Sequence, residues 1–92
     1  MASIKELKKD IDFLASELIS ECYFRMMMIE NADNSALAAT VSKALNFRNE
    51  FINRANHPDG KENAKVVKAY YRNLRKDLLT QFSEMAEGLA RQ

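Results

Sequence analysis

Two arginines occupy helical positions at which the sequence pattern predicts apolar side chains. Arg25 belongs to a series of three- and four-residue steps running from Ile4 to Ile29, and Arg48 to a second series from Leu37 to Ala55. An unpaired buried guanidinium costs several kcal/mol, so each arginine needs an acceptor. Counting residues outward from the two predicted turns between helices places Arg48 beside Glu21 or Glu17, and near Tyr71. The same count places Arg25 beside Asp77.

These positions support two interpretations. The first is structural: a buried ion pair, or an arginine that extends to the edge of the fold. The second is a pocket for a small anion around Arg48, with catalysis left open. His57 is the only histidine and no nucleophile can be placed beside it, while Glu17 and Glu21 share a helix face without a histidine. The sequence therefore predicts no enzyme, no metal site and no cofactor.

The first helical segment carries more apolar side chains than one core face can hold. Phe13, Phe24, Met27 and Met28 fall away from the inward series, because consecutive helical residues differ by about 100° in direction. Exposed apolar patches mark interfaces, and methionine suits an adaptable one. We expect self-association as a dimer, or docking on a protein partner. The alternative is that the other helices wrap further around this segment.

The third helical segment has a basic face. Residues 61 to 77 hold six basic and two acidic side chains. Such a face can follow a phosphate backbone, so binding of nucleic acid or another acidic partner is an alternative function. No recognition motif accompanies it, and a solvated surface is the plainer interpretation. The basic side chains are Lys61, Lys65, Lys68, Arg72, Arg75 and Lys76.

Three helices must position these residues. A capping box of Ser3 and Glu6 begins the first, Asn34 or Ser35 caps the second, and a Pro58-Asp59-Gly60 turn precedes the third. We predict helices over 3–30, 35–56 and 62–90, in one all-α, up-down-up three-helix bundle with two long outer helices. The inward series of the second helix is Leu37, Val41, Ala44, Leu45, Arg48, Phe51, Ile52 and Ala55; that of the third is Ala64, Val67, Tyr71, Leu74, Leu78, Phe82, Met85 and Leu89.

The composition limits the class of protein. The 92 residues suffice for one domain, and 2 glycines with 1 proline favour helices over strands. The net charge of +1 argues against a whole surface built for polyanions. Cys22 is the only cysteine, and we interpret it as a buried apolar residue. Without a signal peptide or an apolar run long enough to span a membrane, the sequence predicts a cytoplasmic protein.

Residues 48–58 (R-N-E-F-I-N-R-A-N-H-P) and 68–71 (K-A-Y-Y), with Ser20-Glu21-Cys22, resemble a family of small uncharacterised bacterial all-helical proteins. The resemblance implies a helical bundle and no substrate, and it favours the Arg48 neighbourhood over the basic face. Arg25 and Arg48 are also similar in kind to the interior arginines of the all-helical chorismate mutases. The middle helix is too long for that family, and its lysine and glutamine cannot be placed here.

Overall fold

In the computed structural model, which describes residues 4–58, 60 and 62–92, the chain forms three helices and, within those residues, no strand. The helices contact one another pairwise, so the predicted all-α three-helix bundle is confirmed. The bundle is a rod of 53 × 19 × 19 Å. Its helices are α1, Ile4–Met28; α2, Asn34–Asn56; and α3, Ala64–Ala90.

The turn between α1 and α2 is closed by an aspartate. Asp33 is the N-cap of α2, and its carboxylate accepts a hydrogen bond from the backbone N–H of Ala36 at 3.0 Å. The predicted caps, Asn34 and Ser35, are therefore wrong by one or two residues, because the carboxylate satisfies the free N–H groups from one position earlier. Asn31 takes a left-handed conformation with φ of 63°, which ends α1 two residues before the predicted boundary at Glu30.

The turn between α2 and α3 needs a glycine. Gly60 has a φ of 69°, and a Cβ there would clash with Val66 Cγ1, so both the backbone conformation and the packing favour a residue without a side chain. Asn63 then caps α3, its side-chain oxygen accepting from the N–H of Lys65 at 3.0 Å. Ser3 of the predicted capping box and Asp59 of the predicted turn lie outside the described residues.

The larger of the two core clusters joins all three helices. Phe51 is fully buried and lies against Phe47, with ring centroids 5.1 Å apart. Burying a phenylalanine contributes roughly 1.5–3 kcal/mol, the same range as for the buried leucine and isoleucine side chains of the cluster. A smaller cluster of Cys22, Leu37 and Leu89 lies near the other end. The larger cluster comprises Leu7, Ile11, Ala15, Phe47, Phe51, Ala55, Leu74 and Leu78.

The inward face of α2 is rotated from the predicted one. Thr40 and Phe47 are buried, whereas Leu45 is 46% exposed and Arg48 is half-buried. The predicted and observed inward faces are neighbouring strips of the α2 surface. The observed face buries the large apolar side chain of Phe47 and leaves Arg48 in contact with water. The predicted place of Arg48 in the middle of the core is therefore wrong.

The third helix packs more lightly than the other two. Only Leu74, Leu78 and Leu89 are buried on α3, while Tyr71 and Phe82 are half-buried. Helices α1 and α2 bury five and six residues. The α1–α2 pair is therefore the tight part of the rod, and the side of α3 next to α1 is left open.

Candidate functional site

Arg48 is paired with a residue that the sequence pattern did not indicate. Its Nε donates to Asp12 at 2.6 Å, and its Nη1 donates to the side-chain oxygen of Asn49 at 3.1 Å. The Arg48 and Asp12 side chains are 41% and 49% exposed. The predicted pairing with Glu21 or Glu17 is wrong, because in the antiparallel α1–α2 pair Arg48 lies nearer the start of α1 than counting from the turn indicated. An ion pair this exposed contributes about 1 kcal/mol or less.

Arg25 pairs within its own helix. Its Nε donates to Glu21 at 2.9 Å, four residues earlier, and its Nη1 donates to the backbone oxygen of Gln92 at 3.2 Å. The predicted partner, Asp77, is wrong because Arg25 lies level with the end of α3, whereas Asp77 lies further from that end and binds Arg54. The last turn of α1 therefore lies beside the last turn of α3, while Asp77 lies in its middle.

Asp77 instead binds Arg54, which the sequence analysis missed. Arg54 Nη2 donates to Asp77 at 2.9 Å, and its guanidinium lies 4.9 Å from the centroid of the Phe51 ring. Burial by itself lowers the pKa of Arg54, but the hydrogen bond and charge of Asp77, with a contribution from Tyr70, raise it above its usual value. A basic residue in the last turn of a helix, three positions after a core phenylalanine, is the sequence signal for this contact.

Two consecutive tyrosines bind the end of α2. Tyr70 donates its hydroxyl to the backbone carbonyl of Arg54, and Tyr71 donates to that of Ala55, both at 2.8 Å. The last carbonyls of a helix lack partners within the helix, so these bonds stabilise its C-terminus. Burial, with the neighbouring Tyr70, raises the pKa of Tyr71, while Arg75 opposes the shift. Tyr71 thus joins α3 to α2 and is not part of a site around Arg48.

The apolar residues expected on the outer face of α1 are exposed. The exposed fractions are 62% for Phe13, 54% for Phe24, 77% for Met27 and 65% for Met28. The alternative, in which α2 and α3 wrap around this face, is therefore excluded. Tyr23 is 53% exposed beside them and extends the apolar area at the C-terminal end of α1.

A groove runs between α1 and α3 where their packing is loose. One depression of about 260 Å³ lies near the start of α1, and a second of about 300 Å³ lies near its end. Phe13 and Leu79 both border the first, and Leu79 is 59% exposed. Leu79 was missed because it lies among basic residues, although its place beside Leu78 in an otherwise amphipathic helix is a usable signal. The second depression is lined by Glu17, Leu18, Glu21, Arg25, Phe82, Ala86, Leu89 and Ala90.

The basic face of α3 is exposed for most of its length. Lys65, Lys68, Arg72 and Lys76 are exposed, Arg75 is half-buried, and Lys61 lies outside the described residues. Leu79 lies on the same side of the helix, since seven residues complete about two turns from Arg72. The basic face therefore borders the groove and ends at an apolar residue.

Cys22 has the environment of an unreactive thiol. The side chain is buried and free, and burial, reinforced by Glu21, raises its pKa despite the nearby Arg25. Within the described part of the chain, no three His, Cys, Asp or Glu residues form a group able to hold a metal ion. His57 is exposed at the C-cap of α2.

The chain matches no protein-family model, no curated protein and no solved structure. The resemblance to a small bacterial helical family stays a prediction. Across the described residues, none of the helices has the length and apolar character needed to cross a membrane.

Proposed function

We propose that this chain is a non-enzymatic helical protein that binds a second copy of itself, or another protein, through the apolar side chains of α1. The observation that carries the proposal is the exposure of Phe13, Phe24, Met27 and Met28, each more than half accessible to water. Single exposed apolar residues are ordinary, but four of them with Tyr23 on one helix of a small rod form an extended patch.

The chemistry of this patch favours a protein partner. Phe24 and Tyr23 offer rigid aromatic area, and Met27 and Met28 offer side chains that adapt to the shape of a partner. Fully burying one such side chain contributes roughly 1.5–3 kcal/mol. Two or three of them buried at once supply the anchors on which binding energy usually concentrates.

The test is the mass of the chain in solution. Sedimentation of the wild type from 1 to 200 µM should give a mass above 10.6 kDa that rises with concentration. Phe24→Glu and Met27→Glu should each shift the chain toward the monomer, because a charge would have to be buried in the interface. Leu45→Glu is the matched control, since Leu45 is 46% exposed and belongs to α2 rather than α1. A wild-type monomer throughout removes self-association and leaves only docking on a different protein.

A second candidate is binding of nucleic acid or another acidic partner by the basic face of α3. The exposure of Lys65, Lys68, Arg72 and Lys76 favours it. Retention on a polyanion column at physiological salt, lost in Lys68→Glu/Arg72→Glu, would support it. Elution at low salt with no change in the double variant would count against it.

The anion pocket around Arg48 has less support. The guanidinium already binds Asp12 and Asn49 and is partly open to water, so no buried cation is left to hold a ligand. A thermal-shift screen of anionic metabolites with Arg48→Met as control tests it, because a ligand of the native state stabilises that state.

We also propose that the protein is cytoplasmic, since the buried free thiol of Cys22 fits a reducing compartment. A bacterial origin rests on the resemblance alone.

A further inference from the structure

The groove between α1 and α3 has an apolar centre. Phe13 on α1 and Leu79 on α3 border the same depression and are 62% and 59% exposed. Leu14 and Leu78 form its floor. Two exposed apolar side chains, one from each helix, therefore border one groove at the same level of the rod.

The charges along the groove are divided at that level. Toward the start of α1 the groove is lined by Asp10 and Arg75, and the exposed charged residues nearby in sequence are mainly basic, with Lys9, Arg72 and Lys76 against Glu6. Toward the end of α1 the border carries Glu17 and Glu21, and the cation there, Arg25, already binds Glu21. One half of the groove is thus positive and the other negative.

We propose that a second copy of this chain covers the groove, turned end over end about a two-fold axis that passes near Phe13 and Leu79. This inference rests on the proposed function and names the surface and the partner. In such an arrangement each residue contacts the equivalent surface of the other copy. The end-over-end rotation lays the acidic half of one groove over the basic half of its partner, whereas a parallel rotation would place like charges together.

The outer ridge of α1 gives the register of the two copies. Lys9, Phe13 and Glu17 follow one another at four-residue intervals, so they form one ridge on the helix surface. An antiparallel two-fold at Phe13 places Lys9 of each copy opposite Glu17 of the other. Neither Lys9 nor Glu17 has an ion-pair partner among the described residues, so both are available for a contact between copies.

The surface is large enough for a stable pair. One long side of the rod, 53 by 19 Å, projects about 1,000 Å², compared with roughly 800 Å² per partner in a typical specific interface. The light packing of α3 against α1 leaves the apolar centre accessible along this side. The product is an antiparallel four-helix layer made from α1 and α3 of each copy, with α2 on the outside.

The first experiment places a charge at the centre of the groove. Sedimentation equilibrium should show the wild type as a dimer, and Leu79→Glu should raise its dissociation constant at least about tenfold. Leu45→Glu, the same substitution at an exposed leucine on α2, should leave the constant within about twofold. Circular dichroism checks that both variants stay helical, and their exposed positions make this the expected result.

The second experiment tests the register by exchanging charges. Glu17→Lys should weaken the dimer, because each of its two symmetry-related contacts would then bring Lys9 of one copy against a lysine of the other. Adding Lys9→Glu should return the dissociation constant to near the wild-type value. Lys9 and Glu17 are two helical turns apart within one chain, so a contact inside the chain cannot produce the restoration. Failure of the double variant to recover overturns the antiparallel register.

The remaining outcomes separate this inference from the proposed function. A wild-type dimer that is weakened by Phe24→Glu and Met27→Glu but not by Leu79→Glu overturns the groove and leaves association through α1 in place. A wild-type chain that stays at 10.6 kDa up to 200 µM overturns the groove dimer together with self-association.

Discussion

Replacing Tyr71 by phenylalanine removes one oxygen at the point where α3 holds the end of α2. The hydroxyl donates to the carbonyl of Ala55 at 2.8 Å, and Ala55 is fully buried. A buried acceptor left without its donor costs about 1–3 kcal/mol. Tyr70→Phe is the matched control, because its hydroxyl binds the carbonyl of Arg54 at the same distance, but Arg54 is only half-buried and water can replace the lost donor.

We expect Tyr71→Phe to lower the free energy of unfolding by about 1–2 kcal/mol, and Tyr70→Phe by about 0.5–1 kcal/mol. For a chain of this size, 1 kcal/mol corresponds to roughly 4–8 °C in the melting temperature. Urea unfolding followed by circular dichroism at low micromolar concentration gives the comparison without a contribution from association. Equal stability of Tyr71→Phe and the wild type would refute the role of this bond.

The pH dependence provides an independent check on Tyr71. Its pKa is raised in the folded state by burial, so folding favours the neutral phenol. The stabilising contribution is therefore fully present below the unfolded pKa, about 10, and is lost as the pH rises through the higher folded pKa. The stability difference between the wild type and Tyr71→Phe should narrow above pH 10, and a difference that widens there would contradict the burial of the ring.

Three further predictions concern the core, the exposed ion pair and the thiol. Phe51→Ala should cost about 3–5 kcal/mol in urea unfolding, since Phe51 is fully buried; a loss under 1 kcal/mol would contradict its place in the core. Arg48→Met should cost less than about 1 kcal/mol, because the pair with Asp12 is nearly half exposed, and a loss above 2 kcal/mol would show that the pair is shielded from water. Cys22 should react with a thiol reagent at least about 100-fold faster in urea than in the native state, since the native thiol is buried and has a raised pKa; equal rates would contradict this.

The three helices were predictable because local signals agree. The three- and four-residue spacing of apolar side chains, the turn formers after Glu30 and the proline and glycine after His57 all point to the same boundaries. The exposure of Phe24 and Met27 was predictable for the same reason, since both lie off a well-defined inward series. These inferences need only the geometry of one helix.

The ion pairs were not predictable because they depend on how two helices align. Counting outward from the turn placed Arg48 beside Glu21 or Glu17, whereas its partner Asp12 lies about 1.5 to 2.5 helical turns nearer the start of α1. For Arg25 the level of its last turn along α3 decides the outcome, since that turn lies beside Gln92 and not beside Asp77, and a carboxylate partner, Glu21, was already on its own helix. Long charged side chains also escape the core by reaching water, so a place in an apolar series does not prove burial.

The groove results from unequal packing of the three helices. The apolar spacing within any one helix does not predict it. A chain of 92 residues has few apolar side chains with which to form a core, and small domains bury a smaller share of their surface than large ones. Here α1 and α2 take most of the core, so α3 contributes Leu74, Leu78 and Leu89 and leaves Leu79 in water. An antiparallel partner would bury Leu79 against an equivalent helix and place Glu17 over a basic border. The small core that limits the stability of the isolated chain therefore also leaves exposed the apolar surface that favours dimerisation.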